Sequence, residues 1–469
     1  MRYVIYVKNT MTALQPSSDR KGIKNGEIMF VSNPSEEALK NRKLVSATLT
    51  EEINKIASFQ FTIGKDNPAY DEIQGRNTHV WIYEYDIDSQ TISNSPNVIF
   101  MGHVVDIVES IDKSGIISKS VTCADVMDFL NESILDRDKY KCQDDGVQPQ
   151  GVRVYNSVLD YFPRIFEEHN AKISYVQNTG ALQRAKQISF TLQKDHDGNP
   201  YVTNRIVGYV YVQDWQRSYE KFVDWCNRWG YEWRVDPYIV GGEYKYTVTL
   251  TNKDHRNRDV IANGARVIEY PDLEYGVNIV ELSVHKDTTE YYTRLFPIGA
   301  VDEDAADGTR TFLHVETGDT GNYHRSNRFY CVDNESGIHN DGVCCGVAYF
   351  DDVTTEEYLA LQGKMYLQYD ARVKIQYSGK FIDLAGNSGE GAKWRYYLGD
   401  YHTLKHPLLG INEDVRIVYL KRNILNPWDV EMKLGDIFLN NQEQKKMRMK
   451  ETKGMTDDIY RVCSSLKNT

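Results

Sequence analysis

The sequence is poor in cysteine, and no two cysteines have the Cys-x-x-Cys spacing of zinc and redox motifs. Seven cysteines in 469 residues are too few for a fold held together by disulfides, so we expect free, mostly buried thiols. No run approaches the roughly 18 apolar residues of a membrane helix, and we expect no membrane insertion. The N-terminus, MRYVIYVKNTMT, lacks the apolar core and cleavage site of a signal peptide. We therefore expect the chain to be made in, and not exported from, the cytoplasm.

Clustered positive charge is also missing. There are 55 Lys and Arg residues against 67 Asp and Glu residues, a net charge of −12, and the basic residues form no long block. Specific nucleic-acid binding is disfavoured, because it depends on concentrated cationic charge. The acidic balance instead suits a surface past which nucleic acid must slide without being held.

The common catalytic motifs are absent or incomplete. GNSGEGAKW has the glycine spacing of a phosphate loop, but Ala392 occupies the position of the lysine. No Gly-x-Ser-x-Gly sequence marks a serine hydrolase. KDHDGNPY has Ile206 where a calcium loop needs glutamate, and we predict an Asp-Gly hairpin turn there.

The histidine and cysteine pairs are no stronger evidence for a metal or catalytic site. His402 and His406 have the spacing of a helical zinc pair, but Thr403 replaces the general-base glutamate and Pro407 follows, so we predict a polar loop. The adjacent Cys344 and Cys345 cannot chelate as Cys-x-x-Cys does, and we predict core packing. We therefore predict no catalytic residue, no metal site, no cofactor and no enzymatic activity.

β-forming segments dominate what the sequence does contain. At 469 residues, the size of typical domains predicts three or four of them. We assign residues 1–128 to a first domain, because six segments there are rich in β-branched and aromatic residues, several with a period of two. These segments are YVIYV, GEIMFV, SFQFTIG, THVWIYEYD, VIFMGHVVDIVES and GIISKSVTCA.

Residues 129–268 predict an α+β domain. SVLDYFPRIFEEHN and DWQRSYEKFVDWCNRWG place aromatic and aliphatic residues at helical spacing. Asp214 is the predicted N-cap of the second helix and Gly230 its stop. The strands YEWRV and YKYTVTL follow.

The remainder divides into residues 269–385, with a loop-rich insertion at 301–342, and a β-rich segment at 386–469. The stretch EYGVNIVELSVHKDTTEYYTRLFPIGA opens the third part, and its alternation predicts a half-buried antiparallel strand with Val280, Leu282 and Val284 on one face. A helix capped by Thr354 or Thr355 is predicted next. The last predicted strands are VKIQYSGKFIDL, KWRYYLG, VRIVYLKRN and DVEMKLGDIFL.

The order of these elements resembles the tail-associated structural proteins of bacteriophages: the N-terminal part of tail-associated lysins, the prophage endopeptidase tail proteins and the baseplate hub proteins. The similar segments run from about residue 48 to 436 and include TEEINKIASFQFTIGKDNPAYDEIQ, VTCADVMDFLNES and LGINEDVRIVYLKRNILNPWDVEMKLGD. The most specific is the stretch that opens the third part, with Gly276, Asn278, Thr293, Arg294, Pro297 and Gly299.

The resemblance implies an α+β, β-dominated fold with two tail-tube-like β-barrel domains and peripheral α+β domains. It implies a trimer at the virion tail tip that adapts a six-fold tail tube to a central spike or fibre and lines part of the genome channel. The implied partners are a distal tail protein or tube ring, a tape measure protein, and a separate spike, fibre or lytic protein. The six residues named above are the implied tube-domain or subunit-interface motif.

Two other functions remain open. A peptidoglycan-degrading tail lysin could assemble its site from carboxylates that no motif identifies, although no wall-degrading module is expected before the end at Thr469. A host-surface carbohydrate-binding module could use exposed members of the 33 tyrosines.

Overall fold

The computed structural model describes residues 3–8, 28–31, 44–84, 97–136, 158–174, 186–195, 197–202, 216–240, 243–253, 261–262, 265–266, 271–300, 323–326, 329–350, 353, 356–384 and 395–438. The strands are β1 Tyr3–Lys8, β2 Ile28–Val31, β3 Leu44–Glu52, β4 Ser58–Gly64, β5 His79–Glu84, β6 Asn97–Ile111, β7 Ile117–Asp125, β8 Ile188–Leu192, β9 Tyr231–Val240, β10 Glu243–Asn252, β11 Ile261–Ala262, β12 Ala265–Arg266, β13 Leu273–Glu274, β14 Ile279–Asp287, β15 Arg294–Ile298, β16 Tyr323–Ser326, β17 Phe329–Asp333, β18 Cys345–Tyr349, β19 Lys374–Ile382, β20 Tyr401–His406, β21 Ile411–Asn423 and β22 Asp429–Gly435. The helices are α1 Val158–Ser174, α2 Ser218–Trp229, α3 Glu335–Asp341 and α4 Glu356–Tyr369.

One sheet of 13 strands organises the molecule. Its order is β14-β19-β22-β21-β3-β4-β7-β6-β5-β1-β2, with β20 attached to β21 and β13 attached to β20. All pairs along the main path are antiparallel. The predicted β-dominated α+β class is confirmed. Pairing of the described strands follows an open path, so the two closed barrels stay a prediction, as do the domain boundaries.

All six strands predicted in residues 1–128 are present. β4 shows why: Phe59, Phe61 and Ile63 are buried, whereas the residues between them are partly or fully exposed. This period of two places one apolar row on the core. β3 was not predicted, because its LTEE end was interpreted as a Glu-rich turn.

The α+β part packs against one face of β1, β5 and the first half of β6. Its core contains Phe162 of α1, surrounded by the rings of Phe222, Trp225, Trp229 and Tyr231 at centroid distances of 5.6–6.0 Å. The same core includes Tyr6, Trp81, Tyr83 and Met101 of the large sheet. The predicted aromatic stripes are therefore core residues, and they attach this part to the sheet.

The sequence predicts the C-terminal end of α2 correctly, but not its N-terminal end. Gly230 ends the helix as predicted, with a left-handed φ of 71° and its N–H bonded to the Cys226 carbonyl. The predicted N-cap Asp214 is wrong, since α2 begins after Arg217; Asp214 itself lies outside the described residues.

A small four-stranded sheet, β16-β17-β15-β18, lies beside the large one. Its core is formed with α4 by Leu295, Val332, Leu359 and Leu367. The prediction of long loops at 301–342 is wrong for residues 323–326, 329–333 and 335–341, which form β16, β17 and α3. Residues 301–322 and the predicted caps Thr354 and Thr355 lie outside the described residues.

Two further predictions in the C-terminal third need correction. The segment KWRYYLG is not a strand where the structure describes it, at residues 395–399. β14 is antiparallel as predicted, but Val280 and Val284 are 56% and 37% exposed. A bulge between Ile279 and Glu281 interrupts the predicted alternation.

No helix in the described ranges is long and apolar enough to cross a membrane.

Candidate functional site

The large sheet has two β-rich parts, one formed by β1–β7 and the other by β13, β14 and β19–β22. They are joined by the pairing of β3 with β21, from Thr48–Asn423 to Glu52–Tyr419. Arg422 lies in this seam. Its guanidinium forms an ion pair with Glu51 of β3 and donates a hydrogen bond of 2.8 Å to the carbonyl of Tyr396. Because the seam lies within one chain, the two β-rich parts form one continuous sheet.

A buried ion pair joins the second part of the sheet to the α+β part. Arg416 of β21 donates from Nη1 and Nη2 to the two carboxylate oxygens of Glu232 on β9, each at 2.6 Å. The two side chains are 10% and 8% exposed. Arg416 also donates from Nε to the carbonyl of Gly399 at 3.1 Å. This forked geometry fixes the relative position of β9 and β21.

A cavity of about 190 Å³ lies where the three parts meet, lined by residues that include Glu51, Asp125, Trp233, Tyr397 and Arg422. Asp125 accepts hydrogen bonds from the backbone N–H groups of Ala57 at 2.7 Å and Met127 at 2.8 Å. Burial raises the pKa of Asp125 from 3.8 to about 7, and these two bonds oppose that rise. Most of this carboxyl is therefore protonated at mildly acidic pH.

Asp125 gives the fold a pH dependence with a defined sign. A carboxyl with a raised pKa in the folded state contributes stability below pH 4 that is lost as the pH rises to about 7. We expect a loss of about 2 kcal/mol, less than the full pKa shift implies, because the carboxyl lines a cavity. Asp125→Asn should remove this part of the pH dependence in urea unfolding measured between pH 4.5 and 7.5.

Asp128 is the matched control for Asp125. A hydrogen bond from His103 holds the pKa of Asp128 below its usual range, so its contribution is lost as the pH falls instead. That loss falls below about pH 4, outside the measured range, so Asp128→Asn should leave the pH dependence between pH 4.5 and 7.5 as in wild type. Parallel pH curves for wild type and Asp125→Asn would contradict the assignment.

The predicted motif does not form one cluster. Gly276 and Asn278 lie in the turn between β13 and β14, where Gly276 has a φ of 84°. Asn278 is fully buried, accepts from the N–H of Glu274 at 2.7 Å and donates to the carbonyl of Asp272 at 2.9 Å. These two residues shape the entry to the edge strand of the large sheet.

The other four motif residues belong to the small sheet. Thr293 donates to the carbonyl of Gly342 at 2.8 Å and accepts from the N–H of Cys344 at 2.7 Å. Arg294 forms two hydrogen bonds of 2.7 Å with Asp333. Pro297 is buried in β15, and Gly299 is buried directly after it. Thr293 and Arg294 thus have partners within the chain, and the subunit-interface role of the motif stays a prediction.

The outer edge of β14 is the main candidate for assembly. Among the strands that the structure describes, β14 pairs only with β19. Val280 and Val284 are exposed on it, and Tyr275 and Val277 extend the exposed apolar surface into the preceding turn. A nine-residue edge strand with exposed valines is suited to pairing with another chain.

The histidine and cysteine pairs were placed wrongly from the sequence. His402 and His406 are buried in strand β20, not in a polar loop, and His402 Nδ1 lies 2.9 Å from the carbonyl of Pro271. Cys344 and Cys345 are exposed, not core residues, although the free state of the five described cysteines is confirmed. The described residues contain no group of His, Cys, Asp and Glu arranged to hold a metal ion.

Comparisons with known proteins agree with this architecture. Residues 269–444 match the family described as Prophage endopeptidase tail. A 43 kDa tail protein of prophage MuSo2 from Shewanella oneidensis is similar in fold, with a TM-score of 0.52, 11% identity, and coverage of 93% of this chain and 98% of that one. Prophage tail protein gp18 of Listeria monocytogenes matches with a TM-score of 0.48, 12% identity and 99% coverage of both chains. A comparison with the curated proteins finds no sequence match.

The family match covers residues 269–444, and the fold is similar to that of a prophage tail protein. The predicted resemblance to the phage tail-associated protein family is therefore confirmed.

Proposed function

We propose that this protein is a structural baseplate hub at the virion tail tip: a trimeric adaptor between the six-fold tail tube and the central spike or fibre, forming part of the genome channel. The observation that carries the proposal is the joining of two β-rich parts into one sheet through β3 and β21. Two such parts in each of three copies would give six units, which is how a trimer can match a six-fold tube. The exposed edge of β14 would supply the contact between copies.

The proposed partners are a distal tail protein or tail tube ring, the tape measure protein, and a separate spike, fibre or lytic protein. The two β-rich parts would act as tube-like domains, with the α+β part at the periphery. The small sheet and α4 would supply the surface for the distal partner, because they form a hydrophobic core of their own.

The first experiment is the solution mass of the purified chain by light scattering at several concentrations. We expect a stable mass about three times the 54.2 kDa of one chain. A chain that remains a monomer at every concentration, alone and with a tail tube ring, would contradict the proposed hub.

The edge of β14 can be tested by charge. Val280→Glu with Val284→Glu should reduce the mass to that of one chain, because two buried carboxylates would have to be desolvated at the contact. Unfolding of the isolated chain should change little, since both valines are exposed. Val45→Glu on β3 is the control, because Val45 is 66% exposed and lies outside that edge. If the Val45 variant dissociates and the β14 variant does not, the contact lies elsewhere.

The family description contains the word endopeptidase, so wall hydrolysis needs a direct test. We propose that this chain is not an enzyme. A zymogram on bacterial cell walls should show no clearing by the purified protein, and clearing would favour the tail-lysin alternative.

A further inference from the structure

One face of the large sheet is polar across both of its β-rich parts. The strand registers align side chains row by row: Thr122 lies opposite Gln60, Gln60 opposite Thr48, and Thr48 opposite Asn423. None of these side chains is buried, whereas the intervening Leu49, Phe59, Phe61 and Val121 point into the core. This polar face comprises Ser46, Thr48, Thr50, Glu52, Ser58, Gln60, Thr62, Asp106, Val108, Ser110, Ser118, Ser120, Thr122, Glu281, Ser283, His285, Asp287, Lys374, Gln376, Ser378, Lys380, Tyr419, Lys421, Asn423, Asp429, Glu431 and Lys433.

The charges of the polar face neutralise one another across strands. Lys421 lies 2.8 Å from Glu431, and Lys380 lies 3.2 Å from Glu281. Lys374 lies 3.4 Å from Glu290, and Lys433 covers the ring of Tyr419 at 5.0 Å. The face therefore has four lysines and six acidic residues, although the whole chain has a net charge of −12. The acidic excess lies on other surfaces.

We infer that the polar face lines the channel of the assembled ring, and that double-stranded DNA is the polymer it allows to pass without binding. This inference rests on the proposed trimeric hub and adds to it the identity of the channel wall. Duplex DNA is held by unpaired cations facing its phosphates, and the cations of this face are already engaged. Hydroxyl and amide groups keep the wall hydrated while adding no attraction of this kind.

The chemistry of the face disfavours retention by stacking as well. Proteins that hold single-stranded nucleic acid present open aromatic platforms on which the bases stack. Tyr419 is the aromatic residue of the polar face, and Lys433 covers its ring. A positively charged wall would bind the phosphates of the genome. A strongly negative wall would raise the free energy of the DNA in the channel by repulsion, and a nearly neutral wall avoids both effects.

The inference can be tested in the assembled protein by removing the carboxylates that form ion pairs with two lysines of the polar face. Glu281→Gln with Glu431→Gln leaves Lys380 and Lys421 without their carboxylates and changes little in shape. A second variant places new cations on the same face: Ser46→Lys, Gln60→Lys and Ser120→Lys. The control variant adds three lysines on the small sheet's helices, with Ser336→Lys, Asn340→Lys and Gln368→Lys, all at exposed positions.

The probe is one duplex DNA sequence in linear and in covalently closed circular form, at low salt. Only a linear duplex can thread a closed ring. Wild type should retain neither form, and both polar-face variants should retain at least about tenfold more linear than circular DNA. The control should treat the two forms alike, because its lysines face outward.

Equal retention of both forms by the polar-face variants would place the face on the outside and overturn the inference. No retention by either variant, with the trimer intact, would show that duplex DNA does not reach the face, and would also overturn the inference. Light scattering on the same samples separates these results from failure of the hub proposal itself, which a monomeric wild type would reveal.

Discussion

Replacing Arg416 with alanine is expected to lower the free energy of unfolding by about 3–5 kcal/mol. The substitution leaves the carboxylate of Glu232 buried without the two hydrogen bonds that it receives from Arg416 at 2.6 Å. It also removes the bond from Arg416 Nε to the carbonyl of Gly399. Urea unfolding followed by tryptophan fluorescence measures the change, since Trp233 lies one residue from Glu232.

The matched control for Arg416 is Arg234 on the same strand as Glu232. Arg234 also forms an ion pair, with Asp236 at 3.0 Å, but the two side chains are 30% and 44% exposed. Arg234→Ala should cost less than about 1 kcal/mol, as surface pairs do. Arg416→Met combined with Glu232→Leu should recover most of the loss, because it removes both buried charges. If Arg416→Ala costs no more than Arg234→Ala, the pair does not fix the junction.

Local signals in the sequence predicted the elements that depend on local structure. The alternation in SFQFTIG matches β4 at both ends, and Gly230 ends α2 with the left-handed conformation that glycine favours. The aromatic stripes of α1 and α2 were correctly interpreted as core. In each case the deciding information lies within a few residues of the element.

Elements that depend on distant partners were missed. β3 ends in LTEE, a weak strand sequence, but it pairs with β21, which is more than 360 residues later in the chain. His402 and His406 follow a glycine and precede a proline, yet pairing of β20 with β21 and β13 makes that segment a strand. The stretch that was predicted to be one motif is divided between two sheets for the same reason, since β14 pairs with β19 and β15 with β17 and β18.

The sequence indicates which residues could join the three parts, but it does not identify their partners. Arg416 and Arg422 interrupt the apolar strand VRIVYLKRN, and a charged residue within such a strand indicates a specific partner. No spacing rule connects Arg416 to Glu232 or Arg422 to Glu51. Only the fold brings those partners together. The sequence could not predict the polar face either, because its rows combine residues from strands of both β-rich parts.

The pairing of β14 with β19 depends on one glycine, and this leads to the second large effect. Gly379 of β19 lies opposite Leu282 of β14. A Cβ atom at Gly379 would stand 1.9 Å from the carbonyl oxygen of Glu281 and 2.9 Å from its carbon. Both atoms belong to backbone, so no side chain can turn aside to relieve the contact.

Gly379→Ala should therefore push β14 away from the sheet and lower the free energy of unfolding by about 3 kcal/mol or more, at the upper end of the cost of overpacking. If the edge of β14 is the contact between copies, the same substitution should also reduce the solution mass to that of one chain. Ser378→Ala is the control at the neighbouring position, because it retains a Cβ and loses only the exposed hydroxyl contact with Ser283 at 2.8 Å. Equal stability of the two variants would show that β14 can shift without loss of its pairing. A Gly379→Ala protein that is destabilised but still trimeric would instead separate the stability of the edge strand from assembly, and would assign the contact between copies to another surface.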